Sequence, residues 1–199
     1  MHSATSASYG NPRPQTLDAL TSTNTGRAIV VVSASLVVAV CAHLTVPLWF
    51  TPVPLTLSDL AVLVVGLLLG PRMAFTALAL YLAEGACGLP VFAPAGLGGI
   101  AQILGPTGGF LMAYPFAAAL AGAIARIPAK LPRFGIALLA ALAGSALLMT
   151  SGASWFSLYT HRSPAITLSL AVIPFLPGQI VKIISAAGIY NSVSRWRHA

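Results

Sequence analysis

Residues 28–48 read Ala-Ile-Val-Val-Val-Ser-Ala-Ser-Leu-Val-Val-Ala-Val-Cys-Ala-His-Leu-Thr-Val-Pro-Leu, a run without Asp, Glu, Lys or Arg. As a helix, roughly 20 apolar residues cross the ~30 Å of hydrocarbon in a bilayer, so this run is long enough to be a transmembrane span. Arg27 stands before it, as in a secretory signal, but no convincing small-residue cleavage site follows and the run is read as a mature span. Five more apolar runs follow it, at 55–69, 73–88, 110–127, 134–156 and 177–193. Helix-breaking dipeptides separate them: Thr51-Pro52-Val53-Pro54, Gly70-Pro71, Gly88-Leu89-Pro90, and Pro128 with Pro132. The pattern predicts an all-α integral membrane protein of six transmembrane helices.

Composition excludes the main alternatives. Apolar residues make up 57% of the 199, and charged residues only 7%, against about 25% in soluble domains. A soluble enzyme of this size needs a charged surface that this chain cannot make. The formal charge of +7 is not a nucleic-acid footprint, because such proteins cluster Lys and Arg on an exposed face, whereas here single charges punctuate apolar segments. Residues 1–25, rich in Ser, Thr, Asn, Pro and Gly and without apolar period, predict a disordered polar tail, leaving 26–199 as the membrane domain. Cys41 and Cys87 sit inside apolar stretches and are expected to be small buried hydrophobes rather than a disulfide pair.

Six spans put both termini on one side. On that side fall Arg13, Arg27, Arg72, Arg126, Lys130, Arg133, Arg195 and Arg197; Arg162 alone falls on the other. Cytoplasmic loops are enriched in Lys and Arg, so both termini are expected in the cytoplasm. The same asymmetry argues against a small dual-topology transporter.

Lys182, inside the sixth run, is the sharpest single residue. A lysine near a helix centre costs ~2.5–3.5 kcal/mol on insertion scales and marks an interior partner or a substrate path. Gln179 lies three positions earlier on the same face, and Pro177 can start the helix. An ammonium, an amide and a positive helix end together favour a carboxylate or ureide-like ligand group. A lysine that snorkels outward, or one that pairs with Glu84 structurally, is the alternative. Tyr81 and Glu84 share a face of the third run; Glu84 either neutralises Lys182 or reaches the outer headgroups. Asp59 follows Thr56-Leu57-Ser58 in a capping-box-like start and reads as a helix-terminus residue, with Thr56 and Ser58 able to face the cavity.

Residues 89–104 carry no charge and too many Gly and Pro for a regular helix. Such backbone survives at membrane depth only when packed in protein or lining a cavity, which predicts an apolar loop folded over the outer mouth, with Phe92 offering a flat contact surface. Gly105-Pro106-Thr107-Gly108-Gly109 then opens the fourth run with a hydroxyl and glycines that permit close approach of a neighbour or ligand. In the first run, Ser35 and Ala39 stand one turn apart, the small-residue spacing that lets helices dock closely.

Five segments in order resemble the BioY family, substrate-capture (S) subunits of energy-coupling-factor (ECF) vitamin transporters. They are Thr51-Pro-Val-Pro-Leu-Thr56; Gly66-Leu-Leu-Leu-Gly70-Pro-Arg72; Tyr81 and Gly85 before Gly88-Leu-Pro-Val-Phe92; Gly105-Pro-Thr-Gly-Gly-Phe110; and Pro174-Phe-Leu-Pro-Gly-Gln-Ile-Val-Lys182. The resemblance covers residues 28–195. It implies a six-helix S-component bundle in a prokaryotic cell membrane that captures biotin from outside, with an ECF transmembrane coupling subunit and ATPase subunits as partners besides lipid. It further implies that the Pro-Gly-Asp-x-x-Lys stretch of the last helix contributes to the biotin site. The lysine maps onto Lys182. The acidic position maps onto Gln179, and Ser58 stands where the family commonly has glutamine; these departures leave a related anionic vitamin or precursor as the alternative ligand. Docking on the coupling subunit implicates Ser35 and Ala39. The ligand-site residues expected are therefore Thr56, Ser58, Tyr81, Glu84, Phe92, Thr107, Gly108, Gly109, Gln179 and Lys182.

An intramembrane enzyme and a small 3+3-repeat transporter are the competing classes. The first lacks an H-E-x-x-H motif and paired carboxylates, with His43 and His161 isolated near run ends. The second lacks matching halves. No catalytic residue, metal or cofactor is expected, and without a G-x-x-x-x-G-K-[ST] loop any ATP hydrolysis belongs to a partner.

Overall fold

A computed structural model describes residues 22–46, 48–51, 53–128 and 131–196. Most of the tail expected at 1–25 lies outside the described residues, as do Arg13, Lys130 and Arg197 of the charge tally. Six long helices answer to the six apolar runs: α1 (Asn24–His43), α2 (Ser58–Leu69), α3 (Pro71–Ala86), α5 (Gly108–Ile124), α6 (Arg133–Thr160) and α8 (Leu176–Trp196). Two short ones, α4 (Gly99–Ile103) and α7 (Pro164–Ala171), sit in the connections, with a 3-10 turn at Ile173–Phe175 leading into α8.

Local chemistry sets the ends. Thr23 caps α1 by accepting from the Gly26 N–H at 3.1 Å. The first run was expected to continue to residue 48, but α1 stops at His43. Thr45 and Val46 are β-branched and Val46 precedes a proline, which biases both to extended backbone. They form β1 (Thr45–Val46), antiparallel to β2 (Leu55–Thr56), with Thr45 opposite Thr56. Between α2 and α3, Gly70 takes φ 82° and Pro71 occupies the first turn of α3, so two helices are joined by a single glycine.

α2 lies at the centre, touching α1, α3, α5, α6 and α8. Its 12 residues reach only ~18 Å, too short to cross hydrocarbon alone. The irregular residues 53–57 extend it, and they are tolerated at depth because they line a cavity. Alanines line the close helix contacts: Ala117, Ala118 and Ala121 on α5 and Ala137, Ala140 and Ala141 on α6 are all fully buried, Ala118 against Gly66 of α2 and Ala117 and Ala121 against Gly144 of α6. The outward faces are apolar instead, as at Leu36 and Val40 on α1 and Ile180, Val181 and Ile184 on α8, each more than half exposed. Such patches are an aggregation liability in water; on helices this long and apolar they are the lipid-facing surface of a membrane protein.

Two expectations are corrected. Cys87 is exposed and Cys41 only partly covered, because Cys87 falls one residue past the end of α3 rather than within it. Ser35 and Ala39 are 0% and 7% exposed. They face the interior of the chain's own bundle, where the Ser35 hydroxyl lies 3.2 Å from Glu84 Oε1 on α3, and offer no surface for a coupling subunit to dock on.

Candidate functional site

The polar residues of the membrane interior converge at one end of the bundle, opposite the end where α1 begins and α8 finishes. Lys182, two turns into α8, points inward and is 6% exposed. Its Nζ lies 3.0 Å from Asp59 Oδ2 on the first turn of α2. Outward snorkelling is thereby excluded, and so is Glu84 as the counter-ion. Asp59 was expected to serve its own helix terminus, but the cap position of α2, Leu57, makes no side-chain cap bond. The carboxylate is spent across the bundle: Oδ2 accepts from Lys182 and Oδ1 from the Tyr114 hydroxyl at 3.2 Å. Tyr114 stands 2.7 Å from Ser58 Oγ, which is 2.6 Å from Thr56 Oγ1. One hydrogen-bonded chain therefore runs from Thr56 through Ser58, Tyr114 and Asp59 to Lys182.

An aromatic wall backs this chain. Tyr81 stacks on Tyr114 with centroids 6.1 Å apart, and Phe92 meets Tyr81 edge-on at 5.3 Å. The hydrogen-bonded chain and Tyr81 bound a cavity of about 50 Å³, closed on its apolar sides by Val53, Phe110, Met149 and Phe175. Small-molecule pockets usually span ~300–1,000 Å³, so a vitamin-sized ligand requires this cavity to widen. It has room to do so. A groove of about 370 Å³ beneath residues 95–97 shares Gln102 and Thr107 with it, and another of about 530 Å³ between the β1–β2 hairpin and α8 shares Thr56 and Lys182.

Of the expected site residues, Thr56, Ser58, Tyr81, Thr107 and Lys182 line the cavity, and five do not. Gln179 is buried behind Lys182, donating from Nε2 to Ser145 Oγ at 3.3 Å. Glu84 is absent from the cavity lining, its Oε1 accepting from the Ser35 hydroxyl on α1. Phe92 meets Tyr81 edge-on and fills the space over Gly85, outside the cavity lining. Gly108 and Gly109 make room for neighbours: a Cβ on Gly108 would strike the Ile103 carbonyl, and one on Gly109 the Trp155 side chain. Trp155 uses that proximity to donate from Nε1 to the Gly105 carbonyl at 2.8 Å.

Three polar lining residues were missed. Asp59 was hidden by its resemblance to a cap, although an acid in an apolar run is itself a functional signal. Tyr114 lies seven residues beyond Thr107, two turns on along the same helical face, and that spacing was available. Gln102, in the short α4 of the 89–104 segment, holds that segment together: it accepts from the Gly98 N–H at 3.2 Å and donates to the Ala93 carbonyl at 3.4 Å. Nothing in a Gly/Pro-rich stretch singled it out. Among the described residues no three His, Cys, Asp or Glu side chains group as metal ligands.

A protein of Pyrococcus horikoshii named "Probable biotin transporter BioY" is 39% identical over 135 residues, which is 68% of this chain and 76% of that one. The biotin transporter BioY of Rhodobacter capsulatus is 33% identical over 176 residues, 82% of this chain and 90% of its relative. A crystal structure of the S-component for biotin from an ECF-type ABC transporter superposes with TM-score 0.73 at 26% identity, covering 87% of this chain and 94% of the other. The BioY family model matches residues 14–199, and with that match over nearly the whole length the chain belongs to the BioY family.

Proposed function

We propose that this protein is the membrane capture subunit of a vitamin importer, binding biotin from outside the cell in the cavity between α2, α5 and α8. The observation that carries the reading is the inward-facing Lys182 with Asp59, at the head of a line of hydroxyls, in a chain of the BioY family. Charged and hydroxyl groups at that end suit the polar groups of biotin, and the apolar sides of the cavity suit its ring and alkyl chain. Lys182 serves as the ligand-contacting cation, and Thr56, Ser58, Tyr81 and Thr107 supply polar contacts beside it. The protein binds and releases without a chemical step, so energy comes from a partner: an ECF transmembrane coupling subunit with its ATPases.

The orientation proposed places both termini in the cytoplasm of a prokaryotic cell. Arg27, Arg72, Arg126, Arg133 and Arg195 all stand at the terminal end of their helices, and Arg162 at the cavity end. That asymmetry supports a cavity that opens outward.

Isothermal titration of the detergent-purified protein with biotin tests the ligand, and uptake with and without ATP and the coupling module tests the role. Absence of binding to biotin, with binding to a precursor lacking the complete ring system, would redirect the reading to that anion. Tyr114→Phe provides a finer check. The hydroxyl it removes joins Ser58 to Asp59, and hydrogen bonds of this kind are worth ~0.5–1.5 kcal/mol each. Biotin affinity is expected to fall about three- to tenfold, with the melting temperature lowered by a few degrees because the same bonds are lost from the ligand-free protein.

A further inference from the structure

We infer that Gln102 is the movable wall through which the site reaches vitamin size, and that its amide then reads the cyclic urea of the ligand. This rests on the biotin-capture reading and adds a specificity residue to it. The cavity beside Lys182 measures about 50 Å³, and the groove beneath residues 95–97 about 370 Å³. Pro54, Gln102 and Thr107 line both spaces and so form the partition between them. Pro54 is a fixed ring and Thr107 a short branched side chain. Of the three, Gln102 has the long side chain whose torsions can swing it clear of the passage. Joined, the two spaces fall within the ~300–1,000 Å³ usual for a small-molecule pocket.

The bonds that hold Gln102 in place are easily given up. Its side chain is buried, at 6% exposure, yet both bonds run to the loop: Oε1 accepts from the Gly98 N–H at 3.2 Å and Nε2 donates to the Ala93 carbonyl at 3.4 Å. Both are longer than the ~2.9–3.0 Å most common for N–H···O bonds. The groups released belong to an exposed Gly98 and a half-buried Ala93, which can turn to water instead of staying buried and unpaired. Gly96 gives the amide its resting place, since a Cβ there would strike it. Turned into the joined pocket, the amide offers an acceptor beside a donor. A cyclic urea presents the complement, so Gln102 Oε1 accepts from a ureide N–H and Nε2 donates to the ureide oxygen. Two long bonds to the loop are exchanged for two to the ligand. A ring without a ureide breaks the latch and returns nothing, which is how a hydrogen-bonding site rejects an analogue.

Two ways of breaking the latch provide the test. Wild type, Q102A and G96A, purified in detergent, are titrated with biotin and with lipoate, which carries the same pentanoate chain on a ring without a ureide. Both substitutions release the loop, but only G96A keeps the amide for the ligand. Q102A should bind biotin about tenfold or more weakly, as expected for two lost hydrogen bonds, and lipoate at least as well as wild type does. G96A should bind biotin at least as tightly as wild type, because its amide no longer has to leave the loop. Biotin affinity in Q102A within about threefold of wild type overturns the inference. So does a loss in G96A as large as that in Q102A, which would make Gln102 a structural latch and no more. Should G96A fail to fold, the ratio of biotin to lipoate affinity in Q102A decides: a fall of about tenfold supports the inference, and an unchanged ratio overturns it. A wild type that does not bind biotin sinks the capture reading and this inference with it, whereas a wrong pattern among the variants alone leaves the capture reading standing.

Discussion

Lys182→Met should lower biotin affinity about tenfold or more, because a hydrogen bond from a charged donor is worth ~1.5–3 kcal/mol and every 1.4 kcal/mol is tenfold. Methionine keeps the length and apolar stem of lysine, so little packing is lost. What disappears is the ammonium, and with it the partner of Asp59, whose side chain is 14% exposed. The defect should therefore show twice, as lost binding in titration and as a lowered melting temperature of the ligand-free protein. Adding D59N to Lys182→Met separates the two. Removing both charges leaves no buried ion uncompensated, and replacing both members of a buried pair is often neutral, so stability should largely return. Binding should not, since the cation offered to the ligand is still missing. A Lys182→Met protein that binds biotin within about threefold of wild type would take Lys182 out of the site.

That pair also shows where the sequence stops being legible. The need for a partner could be read directly: a lysine in an apolar run demands an acid, and the chain has only Asp18, Asp59 and Glu84. The choice among them could not. Thr56-Leu57-Ser58-Asp59 satisfies the local grammar of a capped helix start, and the partner on α8 is 123 residues away. Local pattern and tertiary contact compete for one carboxylate, and depth in the bundle decides for the ammonium. Glu84 reads as a partner from its helical face and its place near the outer end, but its Oε1 is taken by Ser35 on α1. The spans were far easier. A membrane helix is announced by its length of apolar residues, a one-dimensional property, so six runs became six long helices with errors confined to ends such as His43. The site is three-dimensional: the glycines at 108 and 109 could equally have approached a ligand, and only the position of Trp155 on α6 shows that they receive a neighbouring helix.

Gly66→Val should leave little folded protein. A Cβ on Gly66 would run into the Ala118 carbonyl on α5, and one on Gly122 would come within 2.6 Å of the Gly66 carbonyl in return. The two helices touch backbone to backbone. Within a bilayer no hydrophobic force drives helices together, and close approach through small residues is a main source of their association. Valine must push α2 away from α5, and α2 is the helix that all the other long ones touch. It also carries the site: Ser58 and Asp59 lie seven to eight residues up the same rod, and a shift of about 1 Å would break bonds that are now 2.7 Å to Tyr114 and 3.0 Å to Lys182. Any Gly66→Val protein that does fold should bind biotin about tenfold more weakly or worse. Gly188→Ala is the control, since a Cβ there meets nothing within 4 Å and alanine is the better helix former by about 0.5–1 kcal/mol. Size-exclusion profiles and melting temperatures in detergent distinguish the two. Gly188→Ala should match or exceed wild type, and a monodisperse Gly66→Val protein melting at the wild-type temperature would show that the α2–α5 contact yields without cost and does not hold the site in place.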